Sequence, residues 1–244
     1  MISTEILEDK LLIDEHTKNF VAHSYLRCGI PVKYHFKDIE TAWSTEFSSY
    51  QKLTGISKIA SERAKVFIAF YIKHIETALS GGGIKVKQKK DSSQIIKNFS
   101  LEGGKSSGKT LLLSLIAQTA VNHGYKVLYL DWVEIYNNFQ TWDGAAENQR
   151  TLDAAKNCDL LCIDSIYNYS LNPTPSFVVL IDQIINHRIK NDLVTICSIS
   201  ASENSLPNLG PIWNQFLREN FTLKLPEATL TYENNTKRSR TKST

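Results

Sequence analysis

Residues 103–110 read Gly103-Gly104-Lys105-Ser106-Ser107-Gly108-Lys109-Thr110, and this octet constrains the chain more than any other stretch of it. It matches the pattern of glycine, four residues, glycine, lysine and a hydroxyl residue that cradles phosphates. The spacing has a mechanism. Glycines let the backbone curl so that its N–H groups point inward, and a helix that follows offers the positive end of its dipole. Lys109 is spaced to reach the outer phosphates of a nucleotide, and the Thr110 hydroxyl to hold Mg²⁺.

The flanking pattern agrees. Ile95–Leu101 is a short apolar run that reads as one buried strand. Leu111–His123 reads as a helix, with Gly124 where a left-handed C-terminal cap is expected. Lys126–Asp131 then reads as the next strand, so the octet sits at the first turn of a strand–helix–strand unit. Further on come a helix over 133–139 and a polar stretch to Asn157. A strand over 159–164 and a helix over 176–190 follow. A β-branched strand over 193–199 and a short last strand near 223–225 complete the pattern. Strands alternating with helices predict an α/β fold, a parallel sheet covered on both faces.

Ahead of this region, residues 5–26 carry an amphipathic helical pattern that Gly29-Ile30-Pro31 breaks. Residues 57–80 predict a second helix, ended by Gly81-Gly82-Gly83. The basic run Lys85-Val86-Lys87-Gln88-Lys89-Lys90 reads as a solvated loop or edge strand, or as a contact to a phosphate backbone. Tyr167 and Tyr169 read as packing residues, or as bases' stacking partners if the chain holds single-stranded nucleic acid. The last residues, 234–244, are polar and basic and predict a disordered tail.

Composition bounds the function class loosely. Of 244 residues, 42% are hydrophobic and 22% charged, as in ordinary globular proteins, and a net charge of +3 permits nucleic-acid contact without arguing for it. Cys28, Cys158, Cys162 and Cys197 form no C-x-x-C pair, so a zinc site is not expected. The last three lie in or beside apolar runs and read as small core residues. The N-terminus has no apolar leader, and no run is long enough to span a bilayer. Together these point to a cytoplasmic protein with no membrane contact.

Asp164 ends an apolar strand and is placed to hold Mg²⁺ through water. The next residue is Ser165, where hydrolytic ATPases of this type carry an acid that polarises the attacking water. Loss of such a base costs about 10²–10⁴-fold in rate. Asp131, at the end of the preceding strand, is the substitute that the sequence offers. Arg218 lies on an amphipathic turn with Phe216, Leu217 and Phe221 directed inward, and reads either as a surface ion-pair residue or as an arginine offered across a subunit interface.

An ordered series of segments resembles one family, the DnaC-type helicase loaders and IstB-type transposition helpers, both AAA+ ATPases. Gly29-Ile30-Pro31-Val32-Lys33-Tyr34, the phosphate loop, Gly124–Tyr129, Cys158–Asp164, Asp182–Arg188 and Thr195-Ile196 each resemble a family segment, in the family's order. The resemblance implies an AAA+ P-loop NTPase with a parallel sheet flanked by helices, plus a short helical N-terminal segment. It implies a helical partner-binding segment over 1–30, an ATP-binding AAA+ domain over 31–228 and a disordered basic tail over 229–244. ATP and Mg²⁺ are the implied cofactors. The implied partners are a DnaB-type replicative helicase, single-stranded DNA, and further copies of the chain or a helicase-templated oligomer. Residues 103–110 are then the nucleotide loop, with Thr110 and Asp164 at the metal, Arg218 as the trans-acting arginine and Ser200 at the sensor position. Ser165 in place of an acid and Ser200 in place of the usual Asn are departures from the family, and they predict binding with weak hydrolysis, in a loader that delivers the helicase onto single-stranded DNA, with a transposition helper or a non-hydrolysing nucleotide-dependent scaffold as the alternatives.

Overall fold

The computed structural model describes residues 24–35, 58–87, 93–104, 107–140, 146–166, 173–200 and 210–225. Residues 24–27 are helical, and a 3-10 turn, Val32–Tyr34, follows. Next come helices α1 (Lys58–Lys73) and α2 (Ile75–Leu79) and strands β1 (Ile84–Lys87), β2 (Ser93–Ile96) and β3 (Phe99–Glu102). The chain continues through α3 (Lys109–Asn122), β4 (Val127–Asp131), α4 (Trp132–Gln140), α5 (Ala146–Asn157) and β5 (Leu160–Ile166). It closes with α6 (Pro175–Lys190), β6 (Val194–Ile199), α7 (Pro211–Glu219) and β7 (Phe221–Lys224).

Five strands form one sheet in the order β4-β5-β6-β3-β7, every neighbouring pair parallel. Parallel strands end at the same edge, so Glu102, Asp131, Asp164 and Ile199 all lie toward the C-terminal edge. Their register places Glu102 opposite Ile199 and Asp131 opposite Asp164. Both faces of the sheet are buried, which is why its strands read as unbroken apolar runs. Leu160 and Cys162 enter one core cluster, and Leu161 and Ile163 the other, because successive side chains point to opposite faces. The first cluster holds α3 with Ile68 and Tyr71 of α1. The second holds α4 to α7 with Trp132, Phe177 and Trp213.

Helix α3 is apolar around most of its circumference because it is enclosed on most sides. The sheet lies beneath it; α1, α2 and the 3-10 turn contact it elsewhere. Residues 24–35 form a strap across this region. The Cys28 carbonyl accepts the Tyr129 N–H at 2.7 Å, the Tyr25 hydroxyl donates to Asn122 at 2.6 Å, and Tyr34 packs on Leu111 and Leu115. Gly29, at φ +81°, passes so close to β4 that a Cβ there would lie 2.3 Å from the Tyr129 carbonyl oxygen. Among the described residues, no helix is long and apolar enough to cross a membrane.

Three elements differ from the sequence pattern. The run 95–101 is two strands rather than one. β2 pairs antiparallel with β1 in a separate two-stranded sheet, and β3 enters the main sheet. The corner lies at Lys97-Asn98, where Asn98 Oδ1 accepts the Thr195 N–H at 2.8 Å and Lys97 pairs with the Asp192 carboxylate at 2.6 Å. Periodicity does not register a corner inside an apolar run. The helix expected over 57–80 is interrupted at His74, whose N–H is shared between the Phe70 and Tyr71 carbonyls. The polar stretch before Asn157 contains α5, which shows too few apolar positions to be recognised. Leu152 and Ala155 alone are buried among its described side chains. The residues of the N-terminal helix before 24, and the tail from 226, lie outside the described residues.

What holds α5 in place is Arg188. Its side chain is 1% exposed and, among the described residues, no carboxylate faces it in a hydrogen bond; its donors go instead to the Ala155 carbonyl at 2.9 Å, the Cys158 carbonyl at 2.8 Å, Thr195 Oγ1 at 2.9 Å and the Val194 carbonyl. A cation at the negative end of a helix dipole, using that helix's terminal carbonyls, joins α5, α6 and β6 in one contact. Arg188→Leu leaves those buried carbonyls without donors and is expected to cost at least about 3 kcal/mol, read as a lower urea midpoint at unchanged slope.

Candidate nucleotide site

The phosphate loop connects β3 to α3 at the C-terminal edge of the sheet. Its entry is tied to the neighbouring strand by Gly103 N–H donating to the Ile199 carbonyl at 3.3 Å. Gly108 is the N-cap of α3 at φ +87°, left-handed backbone that a side chain would strain. Lys105 and Ser106 lie outside the described residues. Lys109 is 6% exposed, and its ammonium donates to the carbonyls of Gly103 (2.8 Å) and Gly104 (2.7 Å) and to Ser107 Oγ (3.2 Å). Burial lowers its pKa, and the Asp164 charge works in the opposite direction. Lys109 and Asp164 therefore share one electrostatic environment. Thr110 is half-buried in the first turn of α3.

Asp164 is 3% exposed near the end of β5. Its Oδ2 accepts the Tyr129 hydroxyl at 2.8 Å, and its Oδ1 accepts the Ser198 hydroxyl. Ser198 Oγ in turn accepts the Ser165 N–H at 2.7 Å. Ser165 has φ +62°, left-handed backbone in a non-glycine residue. There the register of β5 against β6 shifts between Ile163 and Ile166, a bulge of the kind that re-aims side chains beside functional sites. Burial holds the Tyr129 phenol far above its ordinary pKa, and the Asp164 charge adds to this, so the phenol keeps its proton.

The other sequence candidates are placed less centrally. Asp131 is directly opposite Asp164 in register, but its Oδ1 accepts the N–H groups of Val133 (2.9 Å) and Glu134 (3.2 Å), so it caps α4. Ser200 follows β6, and its N–H donates to the Ile166 carbonyl at 2.9 Å. Arg218 is exposed on α7, its Nε donating to the Asn214 carbonyl at 3.1 Å within the same helix. Helix α7 is anchored by the fully buried Trp213, whose backbone N–H donates to Asp182 Oδ1 of α6 at 2.9 Å. Phe216 is buried as expected, and Phe221 begins β7. Lys85 is exposed on β1, the edge-strand alternative; Lys89, Lys90, Tyr167 and Tyr169 lie outside the described residues.

Tyr129 and Ser198 are contributors that motif reading passed over. A faint signal existed, since each is a hydroxyl residue inside an otherwise apolar buried strand. Buried hydroxyls require partners, but which partner follows from strand order alone.

A phosphate loop after β3, an acid near the end of β5 and the order β4-β5-β6-β3-β7 define an AAA+ P-loop NTPase fold. The family model for IstB-like ATP binding proteins matches residues 88–205. No curated protein sequence matches the chain. Among solved structures, one described as a DNA replication initiation factor superposes with TM-score 0.55 at 14% identity, covering 70% of this chain and 47% of that one. AMPPCP-bound DnaA from Aquifex aeolicus gives 0.53 at 15%, covering 70% and 47%. The DnaC helicase loader gives 0.51 at 16%, covering 69% and 92%. The present chain thus spans about half the length of the first two, and at these identities it is the fold that is shared. Over residues 88–205 the chain is similar to the DnaC/IstB-type AAA+ ATPases.

The Ser165 bulge makes a direct prediction. Left-handed backbone costs an L-residue roughly 1–2 kcal/mol, and glycine's extra freedom in the unfolded chain offsets part of the relief. Ser165→Gly keeps the N–H that Ser198 accepts and is expected to raise stability by about 0.5 kcal/mol in urea unfolding. A loss of stability would show that the Ser165 side chain itself holds the bulge.

Proposed function

We propose that this chain is an ATP-binding helicase loader, which uses nucleotide state to deliver a DnaB-type replicative helicase onto single-stranded DNA. The observation that carries this reading is the placement of the buried Lys109, where the phosphate loop opens into α3, and of the buried Asp164 toward the same C-terminal edge of the sheet. Backbone N–H groups and the α3 dipole attract phosphates, and the buried ammonium gains from exchanging carbonyl partners for anionic oxygens. The donors near the loop are hard oxygens, a carboxylate and a hydroxyl, which suit Mg²⁺. Asp164 and Thr110 are the residues that would hold it, where it would neutralise phosphate charge.

Slow hydrolysis belongs to the same reading. Ser165 has no basic oxygen at neutral pH, and its N–H is occupied with Ser198. Asp131 is committed through Oδ1 to capping α4. A loader needs only that ATP favour one conformation over another. In this scheme residues 1–30 meet the helicase, residues 31–228 bind ATP and DNA, Arg218 reads a neighbouring copy's nucleotide, and Ser200 senses the γ-phosphate. The exposed position of Arg218 on an anchored helix supports that assignment.

A second reading, a transposition helper acting on duplex DNA, is favoured by the match to the IstB-like model. The two part on DNA preference. The loader is expected to bind a fluorescent ATP analogue in a Lys109-dependent way, with Lys109→Ala weakening it at least about 10-fold. It is expected to prefer single-stranded over duplex oligonucleotides, to lose DNA affinity as salt rises, and to retain a hexameric helicase when ATP is present. Preference for duplex would favour the transposition helper. Brisk turnover stimulated by DNA would overturn the slow-hydrolysis reading, and absence of nucleotide binding would overturn both.

A further inference from the structure

Asp164 is held from two sides by groups that belong neither to the phosphate loop nor to the acidic strand end. Tyr129 reaches it from β4 and Ser198 from β6, the two strands that flank β5. Each carboxylate oxygen has two acceptor positions, so one O–H on each oxygen stops the group rotating and leaves one position per oxygen free. Both hydroxyls donate to the carboxylate. Ser198 Oγ already accepts the Ser165 N–H, so its single proton is left for Asp164. The Tyr129 hydroxyl has one proton, and it donates to Oδ2 at 2.8 Å. Tyr129 is itself fixed at its other end, where its N–H donates to the Cys28 carbonyl and Gly29 presses against its carbonyl.

We infer that Tyr129 and Ser198 are positioning residues, a pair of buried hydroxyls that clamp the Asp164 carboxylate in the orientation required to bind the nucleotide's Mg²⁺. The inference rests on the reading of Asp164 as the Mg²⁺ residue. Removing either hydroxyl lets the carboxylate rotate and take up solvent or another donor, while the phosphate loop, one strand beyond β6 on β3, is untouched. Hydrogen-bond partners that orient a metal ligand are commonly worth about 10–100-fold in metal affinity. The defect should therefore appear in Mg²⁺ dependence and not in nucleotide binding as such.

The test uses the full chain and a fluorescent ATP analogue, titrated in EDTA and then against MgCl₂, with wild type, Tyr129→Phe, Ser198→Ala, Asp164→Asn and Lys109→Ala side by side. Tyr129→Phe and Ser198→Ala are expected to bind the analogue in EDTA within about twofold of wild type and to need roughly 10-fold more Mg²⁺ for half-saturation. If Tyr129→Phe does not fold, judged by its melting curve, Ser198→Ala carries the same readout. Two results overturn the clamp alone: an unchanged Mg²⁺ midpoint in both hydroxyl variants while Asp164→Asn shifts it, or equal weakening in EDTA and in Mg²⁺. If Asp164→Asn itself leaves the Mg²⁺ midpoint unmoved, the assignment of Asp164 to Mg²⁺ falls, and the clamp with it. If wild type binds no analogue, the nucleotide reading falls as well.

Discussion

The insertion of β3 between β6 and β7 is the contact on which the rest of the molecule depends. It makes β3 an inner strand, so the loop that follows opens beside the end of β6 and not at a sheet margin. It also gives α3 a buried surface to lie on. An apolar helix of this kind is stable only when enclosed, and its enclosure by the sheet, the N-terminal strap and α1 holds the loop's helical end rigid. Parallel pairing then brings Asp164 to the same edge. The site is thus a consequence of strand order, reached through two clusters of aliphatic side chains that do no chemistry themselves.

Within that apolar frame a few polar side chains join elements that would otherwise be independent. Arg188 links the end of α5 to β6 through carbonyls. Asp182 links α6 to α7 through the Trp213 N–H, and Asn98 links the β2–β3 corner to β6. Tyr129 and Ser198 link β4 and β6 to Asp164. A buried polar group left unpaired costs more than the same group paired contributes, so these contacts discriminate between correct and nearly correct packings. The Ser165 bulge fits this pattern. Its strain is local, and the Ser198 hydroxyl that receives its N–H also meets the carboxylate.

The strap over residues 24–35 ties α3 to β4. It touches α3 through Tyr34 and Tyr25, and β4 through the Tyr129 backbone. The same tyrosine meets Asp164 through its hydroxyl. The strap and the Asp164 carboxylate are thus joined through one residue, Tyr129.

The phosphate loop was legible in the sequence because its chemistry is local. Glycines that allow a left-handed turn, a lysine and a hydroxyl at fixed spacing do their work within eight residues. The parallel sheet was legible too, since strands buried on both faces must be continuously apolar, and β4, β5 and β6 were. The β2–β3 corner was not, because two strands of different sheets joined at Lys97-Asn98 present one apolar run. Helix α5 was not, because it buries only Leu152 and Ala155 among its described side chains and its end is capped by Arg188, some thirty residues downstream. Nor were the partners of Asp164. The sequence by itself determined the elements, the loop and the two-sided burial, all of which follow from neighbours along the chain. Only the tertiary structure decided that Tyr129, Asp164 and Ser198 meet, that Asp131 caps a helix and that Ser165 is left-handed. Those depend on strand order and register, which one chain's periodicity does not encode.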